Sequence, residues 1–272
     1  MPTVSRTSGA LADFMPIAAY VDFAAEHRRF LSFGFVLAFS SSFGQTYFIG
    51  IFGPGVQNAF DLSHTAWGTI YMIGTLGSAL LLPWTGKLID RLDLRTYTGV
   101  VCALLIAACA FMAMVNGPIM LVVAIFLLRQ SGQGLVSHVA ITSMARYFDA
   151  GRGRAIALAT LGFAFGEAIL PFLAVLAIAS IGWRWTYAGI AVVLGVVLLP
   201  TTAWLLVGHP ERHRAYIARL TSPRGHSDSN VQSWTRAQVL RDIRFYLLLP
   251  GILAPSLILT AMFFHHLNLA DA

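Results

Sequence analysis

Seven stretches of this chain stay apolar long enough to cross a bilayer, and polar residues fall almost entirely between them. A helix needs about 20 mostly apolar residues to span the hydrocarbon core. Runs of that length lie at 30–53, 66–85, 97–115, 119–142, 155–181, 185–207 and 246–267. Lipid offers no partner to bare backbone N–H and C=O groups, so uninterrupted runs of this kind must be helices. The expected fold class is an all-α membrane protein.

Charge adds orientation to this picture. Only 11% of residues are charged and 57% are hydrophobic, against about 25% charged in soluble domains; mean hydropathy is +0.71. The net charge of +6 does not point to nucleic acid, because the basic residues sit in short loops rather than on an aromatic-interleaved patch. Arg6, Arg28 and Arg29 precede the first span. Lys87, Arg91 and Arg95 follow the second, and Arg146, Arg152 and Arg154 follow the fourth. Seven arginines from Arg212 to Arg244 precede the seventh. These make sixteen of the 18 basic residues on one face, and the opposite face has only Arg184. The positive-inside rule makes the N-terminus and these loops cytoplasmic. A multi-pass protein of the cell (plasma or inner) membrane is expected, with membrane lipids as partners.

Residues 1–29 lack the apolar core of a cleaved signal peptide and read as a cytoplasmic N-terminal segment. Residues 30–207 form a six-helix bundle. Very short outer loops, at 116–118 and 182–184, make the helices they join antiparallel neighbours. Residues 208–244, with Pro210, Pro223 and the tract Ser227-Asp228-Ser229-Asn230, read as a basic cytoplasmic linker, with an amphipathic helix near 235–244 lying against the headgroups. Residues 245–272 hold the seventh transmembrane helix. Cys102 and Cys109 share a face of span three and read as small packing residues. Gly74, Gly77 and Ser78 on span two, and Gly162 and Gly166 on span five, allow close helix approach.

Two full charges lie deep inside spans. Arg129 is about ten residues below the outer end of span four, and Glu167 about twelve above the inner end of span five. At 1.5 Å per residue they reach comparable depth from opposite faces. An unpaired charge there costs at least ~2.5–3.5 kcal/mol, so each should face protein, water or the other. On span four, Arg129, Gln133 and Ser137 recur at i, i+4 and i+8, with Gln130 on their flank. On span five, Thr160, Phe163, Glu167 and Pro171 share one face, while Gly162 and Gly166 point away toward a neighbour. Span one adds Ser41, Gln45 and Tyr47. Two roles stay open for the charged pair: a coupling site with Glu167 taking up a proton beside a substrate-attracting Arg129, or a permanent buried ion pair that fixes helix packing. His138 lies about 180° from Arg129, which favours a packing role. His265 and His266 fall near the outer end of span seven, where solvation or pH sensing is open to them.

The loop after span two reads Gly86-Lys87-Leu88-Ile89-Asp90-Arg91-Leu92-Asp93-Leu94-Arg95. It resembles the signature loop of the major facilitator superfamily, Gly-x-Leu-x-Asp-Arg-x-Gly-Arg-Arg, which Gly86, Leu88, Asp90, Arg91 and Arg95 fit. Asp93 stands where that family has glycine and Leu94 where it has a basic residue. Three further segments resemble the family in the same order: Arg129-Gln130-Ser131-Gly132-Gln133-Gly134 on span four, Arg146-Tyr147-Phe148 with Arg152-Gly153-Arg154-Ala155 in the next loop, and Gly182-Trp183-Arg184 opening span six. The resemblance implies two inverted three-helix repeats plus the seventh helix. It also implies a conformational latch at Gly86, Asp90, Arg91 and Arg95. Chemistry alone suits Gly86 to ending a helix and Asp90 to accepting from a neighbouring helix N-terminus.

The expected function is secondary active transport of a small organic solute by alternating access. The solute is expected to be an anion because of Arg129, and the coupling ion a proton. Arg129, Gln133, Gln45 and Tyr47 are the candidate substrate-binding residues and Glu167 the candidate proton carrier. No catalytic, nucleotide, metal or cofactor motif is visible, so an enzyme is not expected and neither is any cofactor. The family places its substrate between two six-helix halves, so a missing C-terminal half or a partner chain is expected too, and the reading frame beyond codon 272 would decide this. The alternatives are a non-transporting membrane receptor or scaffold, and a fragment of a drug-efflux antiporter.

Overall fold

In the computed structural model the backbone is described for residues 17–148, 151–221 and 236–270. Side chains are described for 20–148, 151–218 and 238–262, apart from 252 and 256. The expectations placed on Arg6, Pro223, Arg224 and the 227–230 tract lie outside the described residues, and those on Arg219, Arg236, His265 and His266 lie outside the described side chains.

The chain is helical throughout, with no strand among the described residues. A short helix α1 (Ile17–Glu26) leads into α2 (Arg28–Ser40). A 3₁₀ turn, Ser41–Gly44, interrupts span one before α3 (Thr46–Ile51), and α4 (Gly53–Phe60) completes it after a bend of 62°. Span two is α5 (His64–Thr85), extended by a 3₁₀ turn at Gly86–Asp90, and span three is α6 (Leu94–Ala113). Span four runs as α7 (Pro118–Leu128), a π-helical segment Arg129–Val136, and α8 (Ser137–Tyr147). Next comes α9 (Arg152–Val193), continued by a π turn at Leu194–Leu198 and α10 (Leu199–Leu205). That run of 54 residues is roughly 80 Å long at 1.5 Å per residue, far beyond one ~30 Å crossing. It breaks at Gly182, whose φ of 78° and ψ of 163° leave the helical region. Gly182 therefore separates spans five and six, and α13 (Ile243–Ala270) is the seventh span.

Local chemistry explains the ends. Ser63 caps α5, its Oγ accepting from the Ala66 amide at 3.1 Å. Asp93 caps α6, Oδ2 accepting from the amides of Arg95 and Thr96. An N-terminal aspartate of this kind contributes about 1 kcal/mol, and it accounts for the position where the signature loop departs from glycine. At the other face, Trp183 just past the break packs on Gly55 and Phe60 of α4. Arg184 lies 4.1 Å from the Trp183 ring centroid and 5.4 Å from that of Phe60.

Glycine sets how closely the spans cross. Gly44 of span one meets Gly132 of span four backbone to backbone: a Cβ on Gly132 would stand 2.6 Å from the Gly44 Cα. Gly162 of span five faces the Phe35 carbonyl and the Phe39 amide of α2, and Gly166 faces Ser42. Gly74 of span two abuts Ile125 and Phe126 of span four. Span one is thus wedged between spans four and five. Cys102 and Cys109 are both free and fully buried in this core.

Two helices are described within the connection 208–244. Helix α11 (His209–Thr221) folds back on the bundle, where the Tyr147 hydroxyl shares hydrogen bonds with His209 Nε2 (3.4 Å) and His213 Nδ1 (3.1 Å). Helix α12 (Arg236–Arg241) precedes α13.

Gly132→Ala should lower stability by about 1–3 kcal/mol by forcing the span-one crossing apart, read as a lower midpoint of thermal unfolding in detergent. Gly99→Ala, where a Cβ meets nothing within 4 Å, should leave the midpoint unchanged or raise it, since alanine favours a helix interior.

Candidate functional site

The site begins with the interruption of span one. Ser40, Ser41, Ser42 and Gly44 are weak helix formers whose side chains or missing Cβ favour alternative backbone bonding. Ser41 Oγ donates back to the Ala38 carbonyl at 2.7 Å. Gln45 then adopts an extended conformation, φ −80° and ψ 154°, so the Gly44 carbonyl has no helical donor. In lipid such a group must be satisfied by protein. Arg129 satisfies it: Nη1 donates to Gly44 O and to Thr46 Oγ1, both at 3.2 Å. Tyr71 of α5 completes the arrangement, donating its hydroxyl to Thr46 Oγ1 at 2.7 Å and setting its ring centroid 5.6 Å from the guanidinium carbon.

Arg129 is buried, and its Nε finds no acceptor among the described residues. No carboxylate pairs with it among those residues; the ion pairs they form are His27 with Glu26 and Arg146 with Asp90. The guanidinium instead stands directly behind Thr46, one hydrogen bond away from a cavity.

That cavity, about 240 Å³, is lined by Gln45, Thr46, Tyr47, Gln133, Phe163 and Glu167, with Leu259 and Thr260 of α13 on its far side. Glu167 is exposed there, fifteen residues from Arg152 and fifteen from Gly182, hence near the middle of span five. Its neighbour Gly166 lies against Ser42, so the glycine side of α9 makes the helix contact and the carboxylate side faces the opening. The structure therefore brings Gln45, Tyr47, Gln133 and Glu167 together, with Arg129 in the wall behind them.

Two features escaped sequence reading. The first is the π-helical segment, Arg129–Val136, where i→i+5 bonding replaces the 3.6-residue turn on which the i, i+4, i+8 pattern rests. Gln130 turns toward α5, where Nε2 donates to Thr85 Oγ1 at 2.7 Å and Oε1 accepts from Ser78 Oγ at 3.1 Å. Gly132 and Gly134 inside an apolar helix were the available signal for it. The second is the partner of Asp90. A helix N-terminus was expected; instead Arg146, at the end of span four, pairs with its Oδ1 and donates from Nη1 to the Ile89 carbonyl at 3.2 Å. Gly86, Lys87, Asp90 and His138 bound a cavity of about 380 Å³ beside this pair. His138 faces Gly86, and its Nδ1 meets Thr142 Oγ1 at 3.3 Å. Arg91 and Arg95 are exposed.

Residues 34–269 match the family model of the Major Facilitator Superfamily. The chain belongs to that superfamily. It is accordingly a multi-pass membrane protein of a transporter family. No curated protein of similar sequence matches it.

The separation of the two buried-span charges makes a measurable prediction. Arg129→Leu leaves the Gly44 carbonyl without its donor and should cost about 1–3 kcal/mol of stability, whereas Glu167→Gln should change it by less than about 0.5 kcal/mol. In a double-mutant cycle by thermal unfolding, the two changes should be additive. A coupling above about 1 kcal/mol would instead establish a direct ion pair.

Proposed function

We propose that this superfamily member moves a small organic anion together with a proton by alternating access, in the cell (plasma or inner) membrane with its N-terminus cytoplasmic. Residues 30–207 act as the moving bundle, 208–244 as a cytoplasmic linker and 245–272 as a further transmembrane helix. The observation that carries this is an exposed Glu167 in a cavity whose wall includes the break in span one, backed by a guanidinium without a carboxylate partner among the described residues.

The physics of coupling follows from those two charges. An anion drawn toward Arg129 must share the cavity with Glu167. Two negative charges in a low-dielectric space repel strongly, so protonation of Glu167 favours anion entry and the loaded anion favours the protonated acid. Gln45, Tyr47 and Gln133 supply donors and acceptors for the solute's polar groups. To reach Arg129 directly the solute must take the place of Thr46 at Nη1. Asp90, held by Arg146 in the conformation seen here, with Gly86, Arg91 and Arg95 around it, serves as the latch on the basic face.

One observation favours a second reading: Glu167 is the one carboxylate, and no basic side chain accompanies it, among the described residues lining the cavity. A cationic solute would bind it in place of the proton, giving exchange in the manner of a drug-efflux antiporter. The two differ in the sign of proton movement. The protein, reconstituted in vesicles containing a pH dye, should acidify the lumen when small mono- or dicarboxylates are added outside. Lumen alkalinisation on adding amines would favour exchange. Glu167→Gln should abolish proton movement while solute counterflow persists; unchanged proton movement in that variant would overturn the coupling role.

A further inference from the structure

A second polar site lies on the basic face, well away from the mid-membrane cavity. It is a cleft of about 350 Å³ bounded by His27, Arg28 and Arg29 at the start of span one and by Arg212 of α11, with Tyr147 beneath. Its cations are placed by aromatic rings and a carbonyl, not by acids. Arg29 donates to the Trp204 carbonyl and lies 5.0 Å from the centroid of that indole. The Arg212 guanidinium carbon lies 4.0 Å from the Phe30 centroid. His27 packs edge-on to Phe23 and Phe148.

Two donors on side chains that line this cleft are left over. Arg29 Nε and Arg212 Nη1 are both buried with no hydrogen-bond acceptor among the described residues. Burial holds Arg212 below its ordinary pKa, and the charge of Arg29 pushes it the same way. Glu26, the one carboxylate among the described residues lining the cleft, is 75% exposed and lies 3.9 Å from His27. A loose, solvated contact of that kind compensates little of the cleft's charge. Like charges brought together, with buried donors unspent, are the arrangement an anion stabilises.

We propose that this cleft is a binding site for a phosphoryl group. Guanidinium forks arriving from α2 and α11 suit a tetrahedral group with several acceptor oxygens better than a planar carboxylate. The cleft sits on the face where headgroup phosphates lie, so the group comes either from an anionic phospholipid or from a free phosphate ester. Bound there, it ties the start of span one to α11 through two arginines and holds α11 on the bundle.

The test needs no variant to fail. Purified protein in a neutral, lipid-free detergent is titrated with inorganic phosphate against chloride at equal ionic strength. In parallel, it is placed in nanodiscs of phosphatidylglycerol or of a galactolipid lacking phosphate, and the unfolding midpoint is read in each. A phosphate-specific rise in detergent supports a soluble source, and a rise confined to phosphatidylglycerol supports the headgroup. No rise in either overturns the site. Arg212→Gln and Arg28→Gln should each weaken the effect by about tenfold, while Arg214→Gln, exposed on the same helix, should not. Arg28 is exposed, so its variant remains informative if Arg212→Gln perturbs folding. Retention of the full effect in both Arg28→Gln and Arg212→Gln would also overturn the assignment.

Discussion

The contact between Gly44 and Gly132 organises the rest of this molecule. A helix that stops halfway through a membrane must find donors and acceptors for its ends within the protein. Span one does this only because span four approaches it backbone to backbone, bringing Arg129 within 3.2 Å of the Gly44 carbonyl. With a bulkier residue at either glycine, the guanidinium and the carbonyl would part. Gln45 and Tyr47 would then lose the extended turn that sets them on the cavity wall. Close packing here is the condition for having a polar site at all.

Much of the architecture was legible in the sequence because lipid simplifies the problem. The apolar runs could only be helices. Gly162 and Gly166 were correctly separated from the Glu167 face, because α9 keeps a regular 3.6-residue turn through that region. What stayed hidden depends on departures from that turn. The break at residues 41–45 lies inside a run that hydropathy reads as continuous. The π segment shifts the register of span four, sending Gln130 to span two and leaving Gln133 on the cavity. The Asp90–Arg146 pair joins residues 56 apart, and its geometry exists only once α8 is placed beside the signature loop. The gathering of Gln45, Tyr47, Gln133 and Glu167 was foreseeable as a set of polar positions, but the place of Arg129 behind Thr46 was not.

The two arginines of span four divide different work between them. Arg129 meets uncharged acceptors, a carbonyl and a hydroxyl, so its charge is solvated by dipoles and is not cancelled by a carboxylate among the described residues. Arg146 meets a carboxylate at the membrane edge, where desolvation is partial and the pair is easily exchanged for water. A buried group bound to neutral acceptors holds a structural joint and still projects a field, whereas an edge ion pair is suited to being broken and remade. The remaining polar groups of span four are uncharged apart from His138.

These contacts also indicate where the molecule is able to move. Span four is joined to span one at Gly44 and to span two through Gln130 and Gly74, by backbone contact and hydrogen bonds at separate heights. Spans one and five interlock through Gly162 and Gly166. A unit tied at this many levels moves as one body, because packed interfaces of this density switch between discrete arrangements and do not deform continuously. α13 is different. It touches α3 along the cavity, its residues there stay largely exposed, and among its described residues no side-chain hydrogen bond crosses to the bundle. The weakest boundary of the structure therefore runs through the cavity itself, between the rigid wall carrying Glu167 and the helix carrying Leu259 and Thr260. Among the described residues, none of the joints that hold the polar site together crosses that boundary.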